Sequence, residues 1–139
     1  MKKRIISLCM AFVLIFSILP QSALFANAAT IKSGVCGDNL TWTLDESGTL
    51  TILGTGAMYN YGQIDADYPV APWYEFEEMD EIHSIAIENG VTSIGNDAFL
   101  GCSSVTKVSM PETVTRIGHF AFDGCRAIKD ISIPESVTE

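Results

Sequence analysis

Hydrophobic positions in the C-terminal half of this chain repeat every 23 residues. Written in rows, the sequence reads "IHSIAIENGVTSIGNDAFLGCSS", then "VTKVSMPETVTRIGHFAFDGCRA", and then the partial row "IKDISIPESVTE". The apolar residues of the rows share columns, among them Ile82 with Val105 and Ile128, Ile85 with Val108 and Ile131, Ile87 with Met110 and Ile133, and Phe99 with Phe122. Fixed self-similarity with a period of roughly 20 to 50 residues is typical of stacked coils.

Each row predicts two short strands and a turn. The spacing apolar-x-x-apolar-x-apolar, as in Val105, Val108 and Met110, ends on the alternation of a strand with one buried face. A second extended stretch covers 114–117, after which Gly118 permits a tight turn and the "AF" pair fits one helical turn. Because a single row cannot bury its own apolar face, the rows must pack on one another. We therefore expect a mainly β solenoid.

Upstream of the rows, the segment 40–52 predicts a β-hairpin. Its sequence "LTWTLDESGTLTI" alternates apolar residues with threonines on both sides of the turn "DESG", so one face is apolar and the other is a threonine surface. The bare edge of a first coil would pair with other chains, and a hairpin in this position suits an N-terminal cap. Residues 54–69 have little periodicity and predict a loop.

The stretch "PWYEFEEM" opens with proline and predicts a short helix with Trp73, Phe76 and Met79 on one face. Two interpretations of its aromatic residues stay open. One is an aromatic platform for sugar or peptide, built from Trp73, Tyr74 and further tyrosines. The other is that Trp73 and Phe76 close the end of the coil core. The acidic run 75–81 lacks the D-x-D-x-D-G spacing of a cation loop, which favours a solvated helix face.

The first 28 residues predict an export signal. A basic start, "KKR", is followed by a mostly apolar run at 5–19, a proline and the small-residue end "ANA", which predicts cleavage after Ala28. An uncleaved membrane anchor is the alternative, but the apolar run falls short of the roughly 20 residues that span a bilayer. We divide the chain into a signal peptide (1–28), a cap region (29–81) and coils (82–139). We expect a secreted or cell-surface protein with no transmembrane segment after cleavage.

Charge and motif content exclude several classes of function. All seventeen acidic residues but only five of the eight basic ones lie after residue 28, which gives that part of the chain a formal charge of −12. Such a surface repels nucleic acid, which we exclude as a partner. No G-x-S-x-G, H-E-x-x-H, C-x-x-C or phosphate-binding glycine loop occurs, and we expect His83 and His119 to face solvent. We therefore predict neither an enzyme nor a bound metal or cofactor.

Three cysteines remain after residue 28, too few for a disulfide-dense scaffold. Cys102 and Cys125 share a column of adjacent rows. Neighbouring strands lie about 4.8 Å apart, a separation that a disulfide tolerates. A repeating column equally suits small apolar groups that pack against their own copies, and we favour two free, buried thiols.

These rows resemble the BspA-like leucine-rich-repeat proteins of bacteria, whose unit is approximately "V-x-I-P-x-x-V-T-x-I-G-x-x-A-F-x-G-C-x-x-L". The matching stretch is "VSMPETVTRIGHFAFDGCRAI" at 108–128. "LTWTLDESGTLTILGTGAM" at 40–58 and "APWYEF" at 71–76 resemble the usual leader of the family. Glu88 departs from the pattern, since the other rows have proline there. The rows also lack the asparagine that ladders typical leucine-rich repeats, near Gly90, Thr113 and Ser136.

The resemblance implies a leucine-rich-repeat-like solenoid with an N-terminal β-hairpin cap and short helical turns. It also implies a secreted or surface-exposed bacterial protein that works by binding and adhesion, with no catalytic residues to carry over. The third row ends at Glu139, before the "IG" and "AF" of the earlier rows. We expect that row to leave its core uncovered and the chain to be a fragment of marginal stability.

If the coils bind a partner, we expect the outward positions of the first strand to carry the site. They stack into two columns, Ser84, Lys107 and Asp130 in one and Ala86, Ser109 and Ser132 in the other. Short side chains leave this strip accessible to an extracellular protein, a matrix component or a glycan. Two alternatives stay open: a structural spacer that presents another domain, and an accessory module of a larger extracellular hydrolase.

Overall fold

The structure, a computed structural model, describes residues 30–62, 69–74 and 79–139. The predicted signal peptide, part of the predicted loop and Phe76 lie outside the described residues. The described chain is mainly β, with strands β1 (Thr30–Gly37), β2 (Leu40–Asp45), β3 (Thr49–Gly54), β4 (Gly56–Ala57), β5 (Ser84–Ile87), β6 (Val91–Ile94), β7 (Lys107–Ser109) and β8 (Arg116–Ile117).

Helical structure in the described ranges consists of two 3₁₀ turns, Pro72–Tyr74 and Met79–Glu81. The helix predicted from Pro72 begins with the 3₁₀ turn Pro72–Tyr74, and 75–78, its predicted centre, lie outside the described residues. No helix within these ranges has the length and apolar character needed to cross a membrane.

The larger sheet has five strands in the order β1-β2-β3-β5-β7. The predicted hairpin is confirmed, because β2 and β3 pair antiparallel with Trp42 opposite Ile52. From β3 onward the pairing is parallel, and Ile85 on β5 lies beside Val108 on β7, 23 residues later. The columns read from the sequence are thus strand neighbours in space. Strand β1, which the sequence pattern did not predict, pairs antiparallel with β2 and forms the edge of the sheet.

The smaller sheet has three parallel strands in the order β4-β6-β8. Its register again follows the repeat, with Ile94 opposite Ile117. Strand β4 lies inside the segment 54–69, so the prediction of a loop is wrong at Gly56–Ala57. Two small residues carry no alternating pattern, and their pairing with β6 depends on a partner more than thirty residues away.

Strands β3 and β4 together form a row that the 23-residue period conceals. Thr49 pairs with Ser84 and Gly56 with Val91, so this row lies 35 residues before the next one. Trp73 completes it by stacking on Phe99, with ring centroids 5.4 Å apart and planes at 17°. Phe99 in turn stacks on Phe122 at 5.2 Å and 24°. The segment expected to cap the coils therefore supplies two strands that pair in parallel with those of the first 23-residue row and a ring that stacks on it.

Burial decreases from the first 23-residue row to the third. Ile87 is buried, Met110 is half-buried, and Ile133 in the same column is 48% exposed. The third row has no assigned strand, although the Thr138 amide donates a 3.0 Å hydrogen bond to the Thr115 carbonyl. The third row thus follows the path of the second but has less of the apolar packing.

Two asparagine side chains link successive rows at the turn after the second strand. The Asn60 side-chain oxygen accepts a hydrogen bond from the Asn96 amide at 3.0 Å. The Asn96 side-chain oxygen accepts one from the His119 amide at 2.9 Å. This position differs from the one near Gly90, Thr113 and Ser136, where typical leucine-rich repeats carry their asparagine, and the hydrogen bonds include Asn60 from the concealed row.

Candidate binding surface

The outer face of the larger sheet consists of the side chains that alternate with its buried ones. Ser84 lies between Thr49 and Lys107, and Ala86 lies between Thr51 and Ser109. Four of the six residues of the predicted strip are therefore brought together in two rows across β5 and β7. The other two, Asp130 and Ser132, are exposed but belong to the third row, which has no assigned strand.

The hairpin extends this outer face beyond the predicted strip. Thr43 pairs with Thr51 on one side and with Ser33 of β1 on the other. The row from Ser33 to Ser109 thus crosses all five strands with small side chains. The alternation of threonines in the hairpin was visible in the sequence. Only the parallel pairing of β3 with β5 shows that they share a face with Ser84 and Ala86.

Hydrogen bonds order the end of this face nearest the β2–β3 turn. The Ser84 hydroxyl donates to the Thr49 hydroxyl at 3.0 Å. The Asp45 carboxylate accepts hydrogen bonds from the Ser47 hydroxyl at 2.6 Å and from the amides of Ser47 and Thr49. Desolvation is the largest single influence on the pKa of Asp45 and raises it, but the three hydrogen bonds together outweigh it, and the net pKa lies below its usual value. Asp45 is a fixed anion at neutral pH.

An acidic cleft lies beside this ordered end. It is lined by Asp45, Glu46, Ser47, Gly48, Glu81 and His83, and its volume is about 390 Å³. His83 is exposed, as is His119, in agreement with the sequence prediction. Among the described residues, no group of three or more His, Cys, Asp or Glu side chains converges closely enough to hold a metal ion.

An apolar pair marks the opposite end of the outer face. Val35 on β1 and Leu53 on β3 both lie next to Thr41 of β2, so the three side chains share one face. Val35 is 61% exposed and Leu53 is 37% exposed. Exposed large apolar side chains that lie together often mark an interaction surface.

Trp73 and Tyr74 of the predicted aromatic platform are both at least partly buried. Trp73 is 2% exposed, and its indole N–H donates a 2.7 Å hydrogen bond to the Ala98 carbonyl. Its edge contacts with Trp42 and Tyr61 complete an aromatic core. Tyr74 is half-buried, and burial, with smaller effects of nearby thiols and Asp97, raises its pKa to about 12. Trp73 therefore fills the end of the core, as the packing interpretation expected, and presents no open ring to a ligand.

Burial raises the pKa of all three thiols of the described ranges. All three cysteines of the described ranges are unbonded, which agrees with the predicted free thiols, although Cys125 is only half-buried. Burial raises the pKa of Cys36 and of Cys102 to about 12. Cys125 donates its S–H to the Phe99 carbonyl at 3.2 Å. A thiol that stays protonated at neutral pH is a poor nucleophile.

Comparisons with known proteins agree with this geometry. A family profile described as "BspA type Leucine rich repeat region (6 copies)" matches residues 72–139. A solved leucine-rich repeat protein from Eubacterium ventriosum is 37% identical with a TM-score of 0.60, over 70% of this chain and 24% of that one. This chain thus spans about a quarter of the length of that relative.

Two further solved structures match more distantly. A leucine rich repeat protein from T. pallidum is 25% identical with a TM-score of 0.43, over 74% of this chain and 51% of that one. A leucine rich cell surface protein from Faecalibacterium prausnitzii is 19% identical with a TM-score of 0.39, over 74% and 31% of the two chains. No curated protein matches the chain. The 23-residue register and the family match lead to one conclusion: residues 72–139 belong to the BspA-type leucine-rich repeat family of bacterial proteins.

Proposed function

We propose that the chain is a solenoid binding module of a secreted or cell-surface bacterial protein. It holds an extracellular protein, matrix component or glycan on the outer face of the larger sheet and catalyses no reaction. The observation that carries the proposal is the register of β3, β5 and β7, which aligns small outward side chains and the lysine Lys107 across neighbouring strands. Repeat proteins commonly bind through an extended sheet face of this kind.

The chemistry of the described side chains supports binding without catalysis. Cys36 and Cys102 are buried with raised pKa values, and both histidines are exposed. The export signal expected at 1–28 supports a location outside the cytoplasm. This chain spans 24% of its Eubacterium relative, and two alternatives therefore stand beside the proposal: a structural spacer and an accessory module of a larger hydrolase. A binding assay distinguishes the spacer from the two binding roles.

The test replaces two exposed residues of the predicted strip. Lys107→Glu combined with Ser109→Arg should weaken binding of the labelled protein to a panel of immobilised extracellular proteins and glycans, with the circular dichroism spectrum and melting temperature unchanged. Arg126→Glu combined with Thr115→Arg is the matched control, since it makes the same change of charge at exposed positions outside the larger sheet. Equal binding by both double variants would contradict the assignment of the binding site to the predicted strip. No binding by the parent protein to any panel member would favour a spacer.

A further inference from the structure

The outer face has two unlike ends, and their separation specifies a ligand. At one end, the apolar pair Val35 and Leu53 lies on either side of Thr41. At the other, Asp45 lies at the end of the same strand β2 and also lines the acidic cleft. Thr41 and Asp45 are four residues apart, which is about 13 Å along a strand. A ligand that used both ends would therefore need two different groups at about that distance.

The surface between the two ends is level enough for an extended chain. Its outward side chains are small hydroxyl residues, Thr43 on β2 and Thr49 and Thr51 on β3, all partly buried. Side chains at positions i and i+4 of an extended polypeptide point to the same side and lie about 13 Å apart. A strand-like segment with suitable residues four positions apart matches the spacing.

Charge determines which residue enters the cleft. Glu46 and Glu81 join Asp45 there, and the described residues hold no cluster close enough for a metal ion. An ammonium or guanidinium group carries several donors and can bridge carboxylates that are too far apart to ligate one ion. The formal charge of −9 over the whole chain attracts basic partners from a distance.

A polypeptide fits this face better than a glycan. No outward side chain in the described strands of the larger sheet is aromatic, since Trp42 of β2 is buried. Sugar sites usually combine an aromatic surface, on which the ring stacks, with a few polar groups. The outer face offers instead aliphatic side chains at one end and carboxylates at the other, which suits an amphipathic peptide.

We infer that the outer face binds an extended polypeptide segment that carries a large apolar side chain and, four residues later or earlier, a lysine or arginine. The apolar side chain contacts Val35 and Leu53, and the basic group enters the acidic cleft beside Asp45, Glu46 and Glu81. This inference rests on the proposed binding function and names the class of partner.

The test uses three synthetic peptides and the full 139-residue chain, expressed with its own N-terminal segment. The peptide STLTSTKTS has leucine and lysine four positions apart. STLTSKTTS has the same composition with these residues three apart and on opposite faces, and STLTSTETS replaces lysine by glutamate. By NMR titration, the first peptide should bind about tenfold more tightly than the other two, and raising the salt concentration should weaken its binding. Equal binding of the first two peptides, or none of the first, overturns the inference.

Matched variants locate the bound peptide. Val35→Ser with Leu53→Ser should weaken the first peptide about tenfold, and Glu81→Gln about threefold, as for an exposed ion pair. Ile133→Ser and Glu112→Gln alter an exposed apolar and an exposed acidic residue elsewhere, and should change nothing. Binding that the controls reduce as much as the test variants would contradict the inference.

A separate arm distinguishes this inference from the broader proposal. A chito-oligosaccharide that binds the outer face while the peptide does not would support a glycan partner and overturn the peptide inference. The strip variant with Lys107→Glu and Ser109→Arg, if it still loses binding to the panel, would leave the broader proposal standing after the peptides had failed.

Discussion

Phe99 and Phe122 occupy the same column of adjacent rows, yet only Phe99 is fully buried. Phe99 stacks between Trp73 on one side and Phe122 on the other. For Phe122 the only stacked ring within the described residues is Phe99. The two sequences around them, "DAFLGC" and "FAFDGC", would suggest similar environments. In a repeat structure, the row's own sequence determines which side chains point inward. The neighbouring rows determine how much each of those side chains contributes to stability.

The largest effect expected from this comparison is on stability. Phe99→Ala should lower the free energy of unfolding by about 3–5 kcal/mol, because it opens a cavity between two rings. Phe122→Ala should cost less than half as much, since its ring is half-buried. Urea unfolding followed by circular dichroism measures both. Equal losses for the two variants would show that the rows have equivalent surroundings.

The second expected effect is on alkaline stability. Burial, with a smaller contribution from Cys125, raises the folded-state pKa of Cys102 to about 12. The folded protein thus holds this proton more tightly than the unfolded chain. The stabilisation is complete below the unfolded pKa, near 8.5–9, and is lost as pH rises to about 12, by up to about 1.4 kcal/mol per pH unit.

A matched pair of variants separates Cys102 from other groups that titrate in this range. Cys102→Ala should flatten the decline in unfolding free energy between about pH 9 and 12. Cys125→Ala should flatten it less, because that thiol is only half-buried. The slopes are compared in urea titrations at several pH values, and identical slopes for parent and Cys102→Ala would refute the assignment.

The smallest expected effect concerns a backbone angle that the two rows share. Asp97 and Phe120 occupy equivalent positions with φ of 50° and 54°, in the left-handed region. Aspartate tolerates this region better than phenylalanine does, and Phe120 is largely exposed. Phe120→Asn should therefore raise the free energy of unfolding by about 0.5–1 kcal/mol, whereas Asp97→Asn should leave it nearly unchanged. A loss of stability in Phe120→Asn would mean that its ring makes contacts that outweigh the strain.

Much of the fold was predictable because it depends on local periodicity. The columns through Ile85 and Val108, and the hairpin through Trp42 and Ile52, became strand pairs in the expected register. Strand β1 was not predicted because "TIKSGVCG" has a weak alternation broken by two glycines. The concealed row was not predicted because its 35-residue offset does not match the 23-residue period. The concealed row depends on long-range pairing that no local pattern encodes, whereas β1 forms a local hairpin with β2 that its own alternation is too weak to predict.

The candidate site was predictable only in part for the same reason. The outward positions Ser84, Lys107 and Ser109 follow from alternation within each row. The sequence pattern did not show that Val35, Leu53 and the hairpin threonines continue the same face. That continuity depends on the junction between β3 and β5, where an antiparallel hairpin meets the parallel rows.

The parallel pairing of β3 with β5 joins the hairpin to the rows, and disulfide cross-linking tests this pairing most directly. Thr51 and Ala86 are paired on neighbouring strands, which lie about 4.8 Å apart and within disulfide range. Thr51→Cys with Ala86→Cys should therefore cross-link under mild oxidation, as peptide mapping by mass spectrometry would show. Thr51→Cys with Ser84→Cys places the thiols on the same face but two residues out of register, and should cross-link far less. Equal or preferential cross-linking of the second pair would contradict the stacking of the concealed row on the first 23-residue row, and with it the continuous outer face.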